Sequence, residues 1–399
     1  MNEARLRELL REVPMPGAAE AERRGRAMTL AAFEQRPRER RAALPRLAFA
    51  AAAAALLAIL ILSPAGAAVR SWIGDVFTAG VPGAEKALTR VPGGGRLVVR
   101  SQAGPWVVQP DGSRRLLGDY REATWSPHGL YLAAVAGRSL TAVEPDGTPH
   151  WSLTAPATVR DPRWSPSGYR IAYRAGSELR IVAGDGTGDR LLAPQVAPLA
   201  PSWAPGGLPQ LAYVDATGEL RLVDANSGKR LAAAKALPGI AGLEWGASGQ
   251  LLELSRHALR LRRIVLDKLA LRPSLEAPVP LPLPRRAHLL DAAISPGGGS
   301  VAALLAKGSR ATARAEVILY GLHSDSERVL FSTPGRLGEL SWSPDGRRLL
   351  ISWPQADQWL FVPAESRGRV KAVAGIGAAF APGAETGAFP SVEGWCCRR

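Results

Sequence analysis

The sequence predicts an all-β chain: a β-propeller of seven four-stranded blades, with six or eight as alternative counts, preceded by one transmembrane helix and a short helical tail. Three observations predict it. A tryptophan-centred turn recurs along the chain at intervals of 35 to 49 residues. Between successive turns lie short apolar runs punctuated by Asp-Gly-type hairpin signals. Ahead of them all, 22 residues from Leu47 to Ala68 carry no charge. Composition agrees: 46% hydrophobic residues exclude wholesale disorder, and 42 Gly with 33 Pro suit a turn-rich protein. The two cysteines, both in the last four residues, exclude a disulfide framework or a zinc module.

Residues 1–46 form a tail with eleven Arg against seven Glu, a net of +4. Leu6, Leu9, Leu10 and Val13 fall on one helical face. Pro14 and Pro16 end that helix, and a second helical stretch runs from Ala18 to Gln35. A tail this short has no core of its own, so its apolar stripe meets a cytoplasmic partner, lies on the membrane, or belongs to a half-ordered leader.

Residues 47–69 are the predicted span, since 22 helical residues reach ~33 Å, enough for a bilayer core. Leu56 to Leu62 carry most of its lipophilicity. Arg36, Arg38, Arg40, Arg41 and Arg46 crowd the near edge, and Arg70 stands on the far side with Asp75. This asymmetry keeps the N-terminus in the cytoplasm and sends the rest across. Ala65-Gly66-Ala67 resembles a signal-peptidase site, but a 46-residue leader is far longer than an ordinary n-region and favours an uncleaved signal anchor. Residues 70–84 are a juxtamembrane linker. The layout of short tail, single span and large external part is similar to that of membrane-tethered anti-sigma factors. That resemblance implies a tail that binds a transcription factor, in a zinc-free form since the tail has no His or Cys.

Residues 85–399 hold the repeats. The turn reads TWSPHG at 124–129, RWSPSG at 163–168, SWAPGG at 202–207, EWGASG at 244–249 and SWSPDG at 341–346, with worn copies RVPGGG at 90–95 and ISPGGG at 294–299. Each is followed by a strand-like run such as LYLAAVAG or YRIAYRAG, then by a second ending in PDGS, PDGT, GDGT or ANSG, then by one more short strand. Four strands per period of about 40 residues are the mark of propeller blades. The Pro-rich APVPLPLPRR at 277–286 stretches the later intervals. Just before it, SRHALRLRRIVLDKL reads as outer strands and a loop in preference to a helix.

The W-S-P-x-G turn followed by an apolar strand resembles the WD-like propeller repeat of the TolB family, periplasmic proteins of bacterial envelopes. The resemblance covers about residues 85 to 390. It implies four-stranded blades, an axial channel and protein binding at one mouth.

Trp125, Trp164, Trp203, Trp245 and Trp342 stand at one register in their repeats, which makes them structural positions packed between blades in preference to a recognition box. Asp185 and Asp189 in GDGTGD are the best metal candidates, but the further oxygens and bidentate Glu of a calcium loop are missing, so no metal site is assigned. His128, His150, His257, His288 and His323 are scattered. No HExxH, GxSxG or Walker motif is present, so neither catalytic residues nor a cofactor are assigned, and the expectation is a non-enzyme. Cys396 and Cys397 are open between a vicinal disulfide, an intermolecular link and two idle thiols, the last being the default. The part beyond the tail carries 39 basic and 28 acidic residues. That excess favours an envelope protein or anionic polymer as partner. The compartment argues against nucleic acid. The ligand-binding residues are not legible.

Overall fold

The computed structural model divides the chain into two units, Met1–Arg70 and Ser71–Arg399. It describes residues 81, 84–267, 272–308, 313–324, 326–365, 368–381 and 388–397, all in the second. The readings of the tail, the 47–69 span and most of the linker fall outside the described residues. Among the described residues no helix is long and apolar enough to cross a membrane.

The strands form seven antiparallel sheets. Blade 1 comprises Arg96–Ser101, Gly104–Val108 and Arg114–Leu116, with Ser391–Cys396 added as its innermost strand. Blade 2 runs from Glu122–Trp125 to Pro149–Thr154, blade 3 from Val159–Trp164 to Arg190–Ala193, and blade 4 from Ser202–Trp203 to Arg230–Lys235. Blade 5 begins with Ile240–Trp245, blade 6 with Ala287–Ile294 and blade 7 with Leu340–Trp342. The second strand of each blade is buried over its middle on both faces because it is sandwiched between neighbouring sheets: Leu132–Ala134 and Val301–Leu305 are wholly buried. Fourth strands alternate instead, as in Pro149–Thr154.

Ring closure joins the two ends of the propeller. Leu97 pairs with Trp395 and Val99 with Val392, across a bulge that sets Glu393 out of register. The blade 1 turn is thereby split, Trp395 coming from the late strand and Val91–Gly95 from the early segment. Gly94 N–H donates to Val91 O at 3.0 Å, the bond made by Gly129 to Ser126 at 2.9 Å and by Gly298 to Ser295 at 2.8 Å. Both worn copies therefore occupy the same place in their sheets as the intact turns, and the count is seven.

The serine of the W-S-P-x-G turn has a physical role. Its hydroxyl accepts the backbone N–H that opens the next strand: Tyr131 on Ser126 at 3.0 Å, Arg170 on Ser165 at 3.1 Å, Ser300 on Ser295 at 3.1 Å and Arg348 on Ser343 at 2.9 Å. The hairpin aspartates act similarly on the other turns. Asp111, Asp146, Asp185 and Asp215 each accept the N–H two residues on, which leaves the intervening residue to turn the chain. That residue is glycine after Asp111, Asp146 and Asp185, and alanine after Asp215; at Gly112 the φ is +81°, and a Cβ there would lie 2.2 Å from Leu88 O.

Outer strands tie blades together through these same turns. Arg115 of blade 1 donates to Asp146 O at 2.8 Å, Trp151 Nε1 of blade 2 to Gly184 O at 2.9 Å, and Arg190 of blade 3 to Asn226 O at 2.8 Å. Arg328 of blade 6 reaches Ala364 O in the same manner.

Blade 5 absorbs the extra length between the turns at 244–249 and 294–299, and the long strands Ser300–Lys307, Arg314–Gly321 and Ser326–Pro334 of blade 6 absorb that before the turn at 341–346. Ala258–Asp267 is a ten-residue strand that pairs with Gln250–Ser255 over its first part and with Arg272–Leu275 over its last. The Pro-rich segment supplies a further edge strand, Val279–Leu281, beside Leu259–Leu261, an edge being where proline is tolerated. Ser255 to Asp267 are thus strand and turn, as the sequence predicts. Within this blade Glu253 and Arg262 are buried as an ion pair, Nε to Oε1 at 2.7 Å. Leu237 N–H donates to Glu253 Oε2 at 2.8 Å, and Arg262 also donates to Glu276 O and Lys235 O. The pair thereby pins the blade 4 to blade 5 connection.

Removing one member leaves the other buried and uncompensated. Arg262→Ala should lose about 3–5 kcal/mol in urea unfolding. The paired change to Met at both 253 and 262 should restore much of that loss.

Candidate functional site

The candidate site is the axial channel, whose wall is built by the innermost strand of each blade. Such a strand is hydrogen-bonded on one edge only, so its other edge presents backbone N–H groups that need acceptors. Acidic side chains supply them. Glu393 of blade 1 accepts from Ala123 N of blade 2 at 3.2 Å, and Glu122 of blade 2 from Asp161 N of blade 3 at 3.1 Å. Glu244 of blade 5 accepts from Ile294 N of blade 6 at 3.0 Å, and Asp291 of blade 6 from Leu340 N of blade 7 at 2.9 Å. Glu339 of blade 7 takes the Ser391 hydroxyl of blade 1 at 2.8 Å. Around blade 4 other groups serve: Trp203 Nε1 donates back to Arg163 O of blade 3 at 2.9 Å, and Ser202 Oγ accepts from Trp245 N of blade 5 at 2.8 Å. A polar clasp therefore crosses every one of the seven boundaries at the channel wall.

Burial governs the charge of these groups. It pushes the Glu244 carboxyl up to about 7 and that of Asp291 to about 6, each only partly offset by the N–H it accepts. Glu122 is raised by burial and then by the neighbouring Asp161 carboxylate, and Glu393 is raised mainly by burial. Asp161 is held by Arg174 Nε at 2.7 Å, and Arg100 meets Glu393 at 2.5 Å.

Two adjoining cavities open along this wall. One of ≈ 570 Å³ is lined by Arg100, Glu122, Arg160, Asp161, Glu339 and Glu393, among others. The other, of ≈ 700 Å³, shares Asp161, Arg163, Asp291 and Glu393 with it and continues to Trp164, Ser202 and Glu244. Carboxylates that accept and guanidinium groups that donate thus face one space, a surface suited to hydrogen-bonding a polar chain.

The sequence-predicted tryptophans lie in the turns at the ends of the innermost strands. Trp203 and Trp342 are buried and donate to the preceding blade, Trp342 to Ala293 O at 3.0 Å. Trp125, Trp164 and Trp245 are half-buried, and their indole N–H groups are buried without an acceptor among the described residues. The Arg96 guanidinium lies 4.8 Å from the Trp125 ring centroid. Trp164 alone of the five joins Trp203 on the wall of the larger cavity. Asp185 and Asp189 do not converge: Asp185 caps its own turn at Thr187, and Asp189 holds the Tyr173 hydroxyl at 2.6 Å and Arg180 at 2.7 Å. Among the described residues no three His, Cys, Asp or Glu gather as a metal site. Cys396 and Cys397 are joined as a vicinal disulfide, which corrects the default of two idle thiols.

The channel carboxylates escaped the sequence reading, although a signal exists. Glu122, Asp161 and Glu339 each stand three residues before a turn tryptophan, and Asp291 stands three before Ile294, which fills that place in blade 6.

No protein-family model matches the chain, and no curated protein sequence does. By fold it is similar to the Cps50 (Swd1) β-propeller domain of Myceliophteria thermophila, with a TM-score of 0.54 at 15% identity over 71% of this chain and 100% of that one. Hsv2 of Kluyvelomyces marxianus gives a TM-score of 0.47 at 13% identity over 70% of this chain and 91% of that one. At such identity the likeness to Swd1 speaks to the fold alone: a seven-bladed, WD-like β-propeller.

Trp203→Ala should cost about 3–5 kcal/mol in denaturant unfolding, since a buried ring and an inter-blade bond go together. Trp164→Phe should be nearly neutral, its indole N–H having no acceptor to lose.

Because Glu244 and Asp291 have raised values in the fold, the folded chain holds protons that the unfolded chain has released. Their stabilising contribution is full below the ordinary carboxylate range and is lost as pH rises through about 6 to 7. The melting temperature should fall between pH 5 and pH 8, a range set about those values. Glu244→Gln, which keeps an acceptor for Ile294, should flatten that fall.

Proposed function

We propose that this chain is a non-enzymatic, membrane-anchored propeller of TolB-like type that binds an envelope protein through its channel mouth. The observation that carries the reading is the channel wall, where Arg100, Arg160, Arg163 and a circle of carboxylates face adjoining cavities. Such a wall offers both donors and acceptors to a polypeptide and is already held rigid by the blades, so little ordering is lost on binding. Anchoring and an external location rest on the uncharged Leu47 to Ala68 stretch and the arginines before it. The excess of basic residues beyond the tail also suits anionic polymers of the envelope.

A second reading rests on the helical stripe Leu6, Leu9, Leu10 and Val13. In it the tail holds a cytoplasmic transcription factor, in the manner of anti-sigma proteins, and the propeller is its input.

A reporter active only in the cytoplasm, fused at Arg399, should stay silent, and one fused ahead of residue 47 should be active. Signal from the Arg399 fusion would reverse the proposed location. Arg160→Glu should reduce capture of envelope proteins in cross-linking while leaving the melting temperature unchanged.

A further inference from the structure

We propose a two-histidine zinc site across the boundary of blades 5 and 6, formed by His257 and His288. Their Nδ1 atoms are 3.4 Å apart, and their rings, with centroids at 5.1 Å, are inclined by 67°. Two nitrogens bound to a tetrahedral zinc at its usual bond length stand about 3.3 Å apart. A square-planar pair at right angles needs about 2.8 Å, so the observed spacing suits zinc better than copper(II).

Both residues are placed by backbone, not by loop chance. His257 sits in the two-residue turn between Ser255 and Ala258, which pair directly. His288 is in the innermost strand of blade 6, opposite Ala306. Leu289 N–H donates to Arg256 O at 2.9 Å, which stitches the residue before one histidine to the residue after the other. Ala287 and Leu289 are buried on either side of His288, so its Cα is fixed while its ring stays within reach of solvent. Small side-chain rotations then suffice to aim both lone pairs at one ion.

Two protein ligands leave two positions for water or for a group brought by a partner, one more open position than a three-ligand catalytic zinc site keeps. Arg256, next to His257, and Arg286, two residues before His288, place positive charge nearby in sequence. They weaken binding of the bare ion and favour an anionic group in an open position. Zinc would add a second link across a boundary that on this side is stitched by the Leu289 to Arg256 bond.

Zinc alone is the probe, titrated into the purified full-length protein by calorimetry, with cobalt(II) as a spectroscopic stand-in for tetrahedral geometry. One saturable site is expected, with the visible band of tetrahedral cobalt. His257→Ala and His288→Ala should each weaken it by about tenfold or more, and His128→Ala should leave it unchanged. Zinc should raise the melting temperature of the parent chain and not of His257→Ala, whose position is exposed and outside the buried core. Retention of the site in either histidine variant, or weak uptake at several places that none of the three changes affects, would mean an adventitious ion only and would overturn the proposal.

Discussion

The structure depends on how the unpaired edge of each innermost strand is satisfied. Seven sheets arranged around an axis expose seven such edges to the channel, and an orphaned backbone N–H there is costly wherever water is partly excluded. Borrowing an acceptor from the neighbouring blade meets that need and joins the blades at once. The Ala123, Asp161, Ile294 and Leu340 amides all find a carboxylate on the preceding blade. Adhesion between sheets is otherwise apolar, through second strands that are buried over their middles on both sides. Apolar contact alone has little directional preference, so the clasps fix how each sheet is set against the next.

This arrangement joins stability to recognition. The carboxylates that hold the blades also line the cavities, so a ligand that donates to them competes with, or adds to, the contacts that close the ring. Burial raises the titration of Glu244 to about 7 and of Asp291 to about 6, while Asp161 and Glu393 keep arginine partners. One wall therefore carries groups with and without compensated charge. A partner presenting amides or hydroxyls meets acceptors of both kinds without having to bring a full counter-charge.

Much of the fold was legible because its units are local. The W-S-P-x-G turn and the Asp-Gly hairpins each close hydrogen bonds within a few residues, as Ser126 does for Tyr131 and Asp146 for Thr148, so a short motif carries its own geometry. Even worn copies kept the Val91 to Gly94 and Ser295 to Gly298 bonds that define the turn. The channel was not legible for the opposite reason, since each clasp spans one blade to the next. Spacing obscured it further: Glu244 stands one residue before its tryptophan and Glu393 two, against three for Glu122, and register shifts in the strands of Glu244 and Glu393 separate residue count from position on the wall. The two histidines, 31 residues apart and in different blades, have no common motif at all.

Ring closure shows what happens when a local unit must be made from distant parts. In blades 2, 3, 6 and 7 the turn serine and the strand it steadies are continuous, and the hydroxyl closes the turn on itself. In blade 1 the turn is split between Trp395 of the closing strand and Val91–Gly95 of the early segment, and Val91, which has no hydroxyl, stands in the serine's place. The replacement contacts run outward. Trp395 Nε1 reaches Gly94 O at 2.7 Å, Arg96 donates to Gly129 O at 2.7 Å, and the Cys396 sulfur lies 3.8 Å from Ser126 O. Gly129 must be glycine in this setting, since its φ is +64° and a Cβ would lie 2.5 Å from the Cys397 sulfur. The closing strand is thus secured against both its own blade and blade 2, so opening the ring there requires breaking the pairing with Arg96–Ser101 and this second set of contacts together.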